Sequence, residues 1–544
     1  MKSLLSRAQS KKLDFDFYFR VALYILISAF ILLKILSSNH NLYFDRDEVR
    51  KLLRTSGFTN QQFIQLTYNA EPINVNKLLG QYQVPCGDCK PKPNLSALTN
   101  NLEHPPLYYI LLQNWLLGIG YLFNSKLFST LISIATIPAV YWLAQEIFNN
   151  SQISLLSATL FTVSPYLFSM GQHVSQYSLW GALICLSSAL FVRAARNNNK
   201  LLFTLYTATN LLGLYTHLFF ILLVFSHGYY LALNRSWRSL QYYWISLSFS
   251  ILCFTPWALS ILSQREKFEE TAGISDESVG AAPNVLGSFM NGTTAVIQTF
   301  WKNSNVSLLS NDFVQNPLAI SIAIFIFATL TYYICLRLST QKNSLLVLSV
   351  LYGTMLPLML LGTLLGHGLA YKVRYYLPAV IFFIIGISFF IVQQLQHRDQ
   401  RRQFLGIGLS SLVLLSSCIS TSNLFVKVVS NQSSGPQLGA AYELVAPVIN
   451  QANKPLIISS EEYIKVLMLS HRLKRNAEFL LLSNASSNLV QVIQPKITEY
   501  QNSYSEIFIF NPSKNISESL TQAGINFNKF PERWRKPVAY QVLK

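Results

Sequence analysis

Long apolar runs recur along most of this chain, and they constrain its fold more than any other feature. A helix that crosses the hydrocarbon core of a bilayer needs about 20 apolar residues. Only 12% of the 544 residues are charged, whereas soluble domains average about 25%. The runs lie near residues 17–36, 106–122, 127–148, 152–170, 178–195, 201–217, 218–233, 241–262, 317–336, 343–366, 376–395 and 404–424. The sequence therefore predicts an α-helical polytopic membrane protein and argues against an ordinary soluble enzyme.

The charge balance reports on membrane topology. The net charge of +18 could indicate a nucleic-acid partner, but no soluble segment carries a basic stripe interleaved with aromatic residues. Cytoplasmic links of membrane proteins collect lysine and arginine. We therefore expect no nucleic-acid partner. The lysines and arginine before run 17–36 place the N-terminus in the cytoplasm, and the absence of a small-residue cleavage site after this run predicts an uncleaved anchor.

Two membrane topologies are possible: either all twelve runs cross the membrane, or run 106–122 does not. The basic residues in the links between runs distinguish them. Lysine and arginine occur in the four links that begin at Arg193, Arg235, Arg337 and Arg398. The alternate links 171–177 and 217–218 contain neither residue. All four basic links lie on the cytoplasmic side only if run 106–122 does not cross the membrane. This run starts at Pro105-Pro106 and contains two glycines, as suits an interfacial helix. The sequence thus predicts about eleven crossings of the plasma (inner) membrane, with 106–122 in the outer leaflet.

Three stretches of mixed polarity define the predicted domains. Residues 1–424 form the transmembrane module, with a first external loop at 37–105 and a second at 263–316. Residues 425–544 alternate short β-type runs, such as 454–460 and 506–510, with helical ones. We expect a small extracytoplasmic α/β domain there. Cys86 and Cys89 in the first loop form one CxxC, which is weak evidence for zinc; a local disulfide is favoured over a metal half-site.

Two acidic sites follow the first run. Asp47 and Glu48 come about nine residues after it. They fit a solvated helix start, a general base or a metal ligand that binds through hard oxygens. Glu103 and His104 precede two prolines that fix the backbone where a helix begins. His217 and His173 are more often packing residues in such runs, although ionisable groups at membrane depth tend to be functional.

These residues occur in an order that resembles a known family. The matching segments are Glu103–Tyr109, Ile137–Ala144, Ser164–Tyr166, Gln172–Ser178, Leu214–His217 and Arg374-Tyr375 ahead of Pro378. The order is similar to that of polytopic GT-C glycosyltransferases of the family 39 type, which are related to protein O-mannosyltransferases and the lipid A aminoarabinose transferase. The resemblance runs from about residue 17 to 424.

The resemblance implies a glycosyltransferase that takes its sugar from a polyprenyl-phosphate lipid donor within the membrane lipids. The acceptor (protein, lipid or polysaccharide) stays open. Asp47, with Glu48 beside it, would be the base or would orient the acceptor. Glu103 would contact the acceptor or bind a divalent cation such as Mg²⁺ or Mn²⁺. His104, Lys372 and Arg374 would bind the donor phosphate. The substrate pocket would include Tyr108, Gln172, His173, Tyr177, His217 and Tyr375.

One segment departs from the family pattern. Relatives often read Gln-Glu-Ala-Arg-x-Tyr where this chain has Gln172-His-Val-Ser-Gln-Tyr177, so that glutamate and arginine are absent. Two other classes remain open. A flippase for a lipid-linked saccharide would need ionisable residues deep in its spans, and a membrane scaffold would use residues 425–544 as a binding module.

Overall fold

The computed structural model describes most of the chain. The described residues are 2–40, 44–84, 97, 102–118, 125–266, 296, 299–300, 317–337, 341–364, 373–430, 437–483, 489–510, 520–522, 524–530 and 538–543. They form two compact units. The helical unit comprises Met1–Ser38, Asn101–Tyr108 and Lys126–Phe425, and the sheet unit comprises Asn39–Asn100, Tyr109–Ser125 and Val426–Lys544.

Helices make up most of the described residues. In chain order they are α1 (Lys2–His40), α2 (Arg46–Thr55), α3 (Asn60–Thr67), α4 (Val75–Tyr82), α5 (Leu107–Gly118), α6 (Ser125–Phe148), α7 (Ser151–Val163), α8 (Pro165–Gln172), α9 (Tyr177–Asn197), α10 (Lys200–Leu214), α11 (Phe220–Leu233), α12 (Trp237–Ser263), α13 (Pro317–Arg337), α14 (Leu345–Leu364), α15 (Leu377–Leu395), α16 (Gln400–Val429), α17 (Gln437–Gln451), α18 (Tyr463–Ser470) and α19 (Leu489–Tyr500).

The apolar runs fold as helices. Among the described residues, seven helices are long and apolar enough to cross a membrane, and the pair α7–α8, bent by 61°, would be an eighth span. Within the run 106–122, the described residues Leu107–Gly118 form α5. The predicted α-helical polytopic class is confirmed, while the count of about eleven crossings stays a prediction.

The helical unit has one central helix. Nearly all of α15 is buried, and it packs against α7, α14 and α13. Helices α12 and α16 instead leave large apolar side chains exposed, among them Trp244, Leu252 and Phe404. In a bilayer such side chains contact lipid, so α12 and α16 lie at the periphery of the helical unit.

The sheet unit contains a six-stranded mixed sheet. Its strands are β1 (Pro72–Asn74), β2 (Pro455–Ser459), β3 (Glu478–Leu481), β4 (Glu506–Phe510), β5 (Phe527–Phe530) and β6 (Ala539–Val542), in the order β1-β3-β2-β4-β6-β5. The predicted runs 454–460 and 506–510 are β2 and β4, which pair in parallel. The small α/β domain is thus confirmed. The domain boundaries stay a prediction, and the first loop supplies strand β1, antiparallel to β3.

Two glycines of α16 give a test of the packing within the helical unit. A Cβ on Gly406 would meet the backbone nitrogen of Leu395 at 2.8 Å, whereas a Cβ on Gly408 would meet nothing within 4 Å. Alanine gains about 1 kcal/mol of helix propensity over glycine at either position. We expect Gly406→Ala to lower the thermal unfolding temperature in detergent, because the clash outweighs that gain.

Gly408→Ala is the matched control and should leave the unfolding temperature unchanged or slightly raised. Equal behaviour of the two variants would contradict the close approach of α15 and α16.

Candidate functional site

An aromatic cage surrounds His217 in the link between α10 and α11. The imidazole stacks on the Trp180 ring with centroids 4.0 Å apart and an interplanar angle of 6°. The rings of Tyr177 and Tyr375 each lie with centroids 5.7 Å from it. The backbone N–H of Phe219 donates to Nδ1 of His217 over 3.2 Å. When the ring is neutral its proton therefore sits on Nε2, so the cage fixes both ring orientation and tautomer.

Arg374 is the cation beside this cage. It lies in the 3₁₀ turn Val373–Tyr376, directly before the central helix α15. Its guanidinium carbon is 5.7 Å from the centroid of the Tyr177 ring and 5.7 Å from that of Tyr375. Arginine over aromatic faces is held by cation–π attraction. The two tyrosines therefore restrict the guanidinium to one region, and Arg374 is partly exposed.

The segment before α5 presents a histidine with two partners. His104 Nε2 lies 3.3 Å from a carboxylate oxygen of Glu103, and His104 Nδ1 lies 3.0 Å from the amide nitrogen of Gln176. The N–H of Leu107 donates to the Tyr215 carbonyl over 3.0 Å. The two prolines and this bond fix the segment against the α10–α11 link, so His104 is oriented from both sides.

Tyr108 follows in the same segment with a structural set of contacts. Its side chain is buried, and its hydroxyl lies 2.6 Å from Ser129 Oγ. Gln172 is also buried, and its amide donates to the Ser37 hydroxyl of α1. His173 is half-buried at the end of α8. The roles of Tyr108, Gln172 and His173 in a substrate pocket stay predictions.

Asp47 and Glu48 lie in the first turn of α2, within the sheet unit. Asp45 caps this helix: its Oδ1 accepts the Glu48 N–H over 2.7 Å, and Glu48 Oε2 accepts the Asp45 N–H over 3.0 Å. This capping box satisfies two backbone donors and gives the buried Glu48 a structural function. Asp47 is half-buried, where a carboxylate interacts favourably with the helix N-terminus. Their catalytic roles stay predictions.

Within the helical unit, the structure thus joins several predicted residues. Contacts link His104 to Gln176, Tyr177 to both Arg374 and His217, and Tyr375 to the same two. A partly exposed guanidinium such as that of Arg374 has the donor geometry that suits an anion such as a phosphate. Lys372, Cys86 and Cys89 lie outside the described residues.

Sequence reasoning missed three residues of this unit. Gln176 lies inside the segment that departs from the family pattern, and Trp180 gives no signal within an apolar run. Lys34 did give one, since it is a lysine inside run 17–36. A charge at that depth is costly, and it is a sign of function.

Comparisons with known proteins concern the family and the fold of the chain. The family model described as dolichyl-phosphate-mannose-protein mannosyltransferase matches residues 103–259. The structure of ArnT from Cupriavidus metallidurans bound to undecaprenyl phosphate is similar over 95% of this chain and 97% of that one, at 12% identity and a TM-score of 0.50. The chain has the GT-C fold.

This result confirms the recognised relation to protein mannosyltransferases and the aminoarabinose transferase at the level of the fold superfamily. The oligosaccharyltransferase AglB from Archaeoglobus fulgidus, in complex with an inhibitory peptide and a dolichol-phosphate, aligns over 91% of this chain and 70% of that one, at 12% identity and a TM-score of 0.47. No curated protein matches. The family match begins at Glu103 and contains His104, Tyr177 and His217.

The contacts of Tyr108 lead to a stability prediction. Tyr108→Phe removes a hydroxyl that is paired with the buried Ser129, and a buried hydrogen bond is worth about 1 kcal/mol. We expect a lower unfolding temperature in detergent. Tyr229→Phe, at an exposed position of α11, is the control and should change nothing. An unchanged unfolding temperature for Tyr108→Phe would show that the Ser129 contact does not support the fold.

Proposed function

We propose that this protein is a membrane glycosyltransferase that moves a sugar from a polyprenyl-phosphate donor to an acceptor hydroxyl on the extracytoplasmic side. The observation that carries the proposal is that Arg374 and His217 both lie against the rings of Tyr177 and Tyr375, while His104 contacts Gln176, the residue before Tyr177. The fold likeness to ArnT, which was solved with undecaprenyl phosphate, supports it. So does the match to a model of enzymes that use dolichyl-phosphate mannose.

Arg374 is the principal ligand of the donor phosphate in this proposal. A guanidinium presents two parallel N–H groups to phosphate oxygens. Because Tyr177 and Tyr375 already hold it, little reorganisation accompanies binding. His104 is the second contact, and Glu103 keeps its ring in place from 3.3 Å. Lys372, two residues before Arg374 in the chain, is the third.

The chemical step is one displacement at the anomeric carbon. The acceptor oxygen forms a bond to that carbon as the bond to the lipid-phosphate oxygen breaks, and the electron pair leaves with the phosphate. The acceptor proton passes to the Asp47 carboxylate, which acts as general base. Arg374 and His104 stabilise the charge that develops on the leaving phosphate. A single displacement inverts the anomeric centre.

A divalent cation would assist the same leaving group as a Lewis acid. Mg²⁺ demands near-octahedral coordination by about six oxygen ligands, some of them water. In the helical unit Glu103 brings one carboxylate, and that carboxylate already contacts His104. Glu103 as a metal ligand stays a prediction, and no step above depends on a metal.

One observation favours the flippase as the second candidate. Lys34 and His227 are ionisable side chains buried completely inside α1 and α11, and transporters place such groups within their spans. His227, however, is paired with Ser188 and Tyr206 at 3.1 and 3.0 Å. A proteoliposome assay separates the two classes: a flippase moves a labelled lipid-linked sugar between leaflets without breaking its phosphate bond.

Two neighbouring carboxylates of α2 give the sharpest test of the transferase. Purified protein with a radiolabelled polyprenyl-phosphate sugar and a membrane acceptor extract should transfer label. We expect Asp47→Asn to lower kcat by about a hundredfold or more, because the base is lost while the shape is kept. The unfolding temperature should be unchanged.

Glu48→Gln is the matched control. Glutamine also completes a capping box, so this variant should keep both fold and transfer. If Glu48→Gln abolishes transfer and Asp47→Asn does not, the base is Glu48. If both variants are fully active, neither carboxylate is the base.

A further inference from the structure

Lys34 is the most unusual side chain of the helical unit. It lies within the candidate span Phe17–His40 of α1, and none of its surface is exposed. Burying an ammonium group costs several kcal/mol even after relaxation. A methionine would occupy a similar volume without that cost. The lysine therefore needs an explanation in its contacts.

The ammonium group contacts three other helices. Its Nζ donates to Ser133 Oγ of α6 over 3.0 Å. It also lies 5.7 Å from the centroid of the Phe161 ring in α7 and 5.9 Å from that of Phe168 in α8. Among the residues that the structure describes, no carboxylate forms an ion pair with Lys34. Hydroxyl and aromatic groups therefore supply only part of its charge compensation.

The end of α8 supplies the rest. Nζ lies 3.8 Å from the position of a Cβ on Gly171, the penultimate residue of α8. The C-terminal end of a helix carries about half a negative charge, and cations there are favourable. The Thr130 hydroxyl also donates to the Gly171 carbonyl, over 3.4 Å. The cation thus lies close to the C-terminal turn of α8 inside the bundle.

Close packing against α6 also holds the C-terminal end of α8 in place. A Cβ on Gly171 would lie 2.5 Å from Ser133 Oγ, so only glycine lets α8 approach α6 this closely. Gln172 is bound to Ser37, which lies one turn after Lys34 in α1. Immediately beyond, Gln176 contacts His104 and Tyr177 contacts Arg374.

We propose that Lys34 is a positioning residue: its ammonium, anchored on Ser133, neutralises the C-terminal end of α8 and thereby fixes the segment 172–177 that orients His104 and Arg374. The effect on transfer rests on the proposed function. The effect on the segment itself does not.

Hydrogen–deuterium exchange with mass spectrometry tests the positioning directly in the full-length protein in detergent. We expect Lys34→Met to speed amide exchange in peptides covering 171–177 by about tenfold, with little change in α15. The KM for the polyprenyl-phosphate sugar should rise by about tenfold, and kcat should change less. Lys34→Arg keeps the cation and should restore part of both effects. Ser133→Ala is the milder second variant and should show the same exchange pattern.

His227→Leu is the matched control. It removes another completely buried ionisable side chain of the helical unit, but one bound to α9 and α10 rather than to α8. It should lower the unfolding temperature without faster exchange in 171–177.

Unchanged exchange in 171–177 for both Lys34→Met and Ser133→Ala would overturn the proposal. For Lys34→Met, equally faster exchange throughout the helical unit would also overturn it, because the lysine would then only support global packing. If the exchange pattern appears but the unaltered protein transfers no sugar, the positioning stands and the transferase assignment fails.

Discussion

The bend between α7 and α8 is the constraint on which the rest of the helical unit depends. A helix broken inside a membrane exposes backbone polar groups that no water can satisfy. Here Pro165 starts the second half-helix, and the Ser164 hydroxyl accepts the N–H of Leu167 over 3.3 Å. At the other end, Thr130 binds the Gly171 carbonyl. At the 61° bend itself, the Thr421 hydroxyl of α16 donates to the Val163 carbonyl over 2.6 Å, so α16 and Ser164 supply the missing partners there.

This bend determines where the functional residues lie. Because α8 ends after eight residues, the segment 172–177 returns to the start of α9 beside the Pro-Pro segment and the α10–α11 link. Gln176 thereby reaches His104, and Tyr177 lies between His217 and Arg374. The residues that we propose to bind the donor phosphate therefore lie in short links between helices, and the helices fix the positions of these links.

The long helices could be predicted from the sequence because a helix that crosses a membrane requires a long apolar run. The Pro-Pro segment was also recognisable, since its prolines fix a backbone next to two ionisable residues. Strand β1 has only three residues and pairs with a strand some 400 positions away, so no local pattern could reveal it.

Side-chain roles were harder to predict than the positions of helices. Gln172 falls in a matching motif, yet its amide binds α1. Glu48 sits beside the expected base, yet it completes a capping box. Trp180 looks like any apolar residue and nonetheless stacks on His217. Such contacts depend on which helices become neighbours, and this information is not local in the sequence.

The central claim concerns the position of one phosphate group. An experimental structure of the full-length protein with polyprenyl phosphate locates it directly. The account predicts that a phosphate oxygen lies within about 3 Å of the Arg374 guanidinium, with His104 and the Tyr177 ring beside it. A phosphate bound elsewhere, with Arg374 still stacked and making no contact to it, would contradict the account.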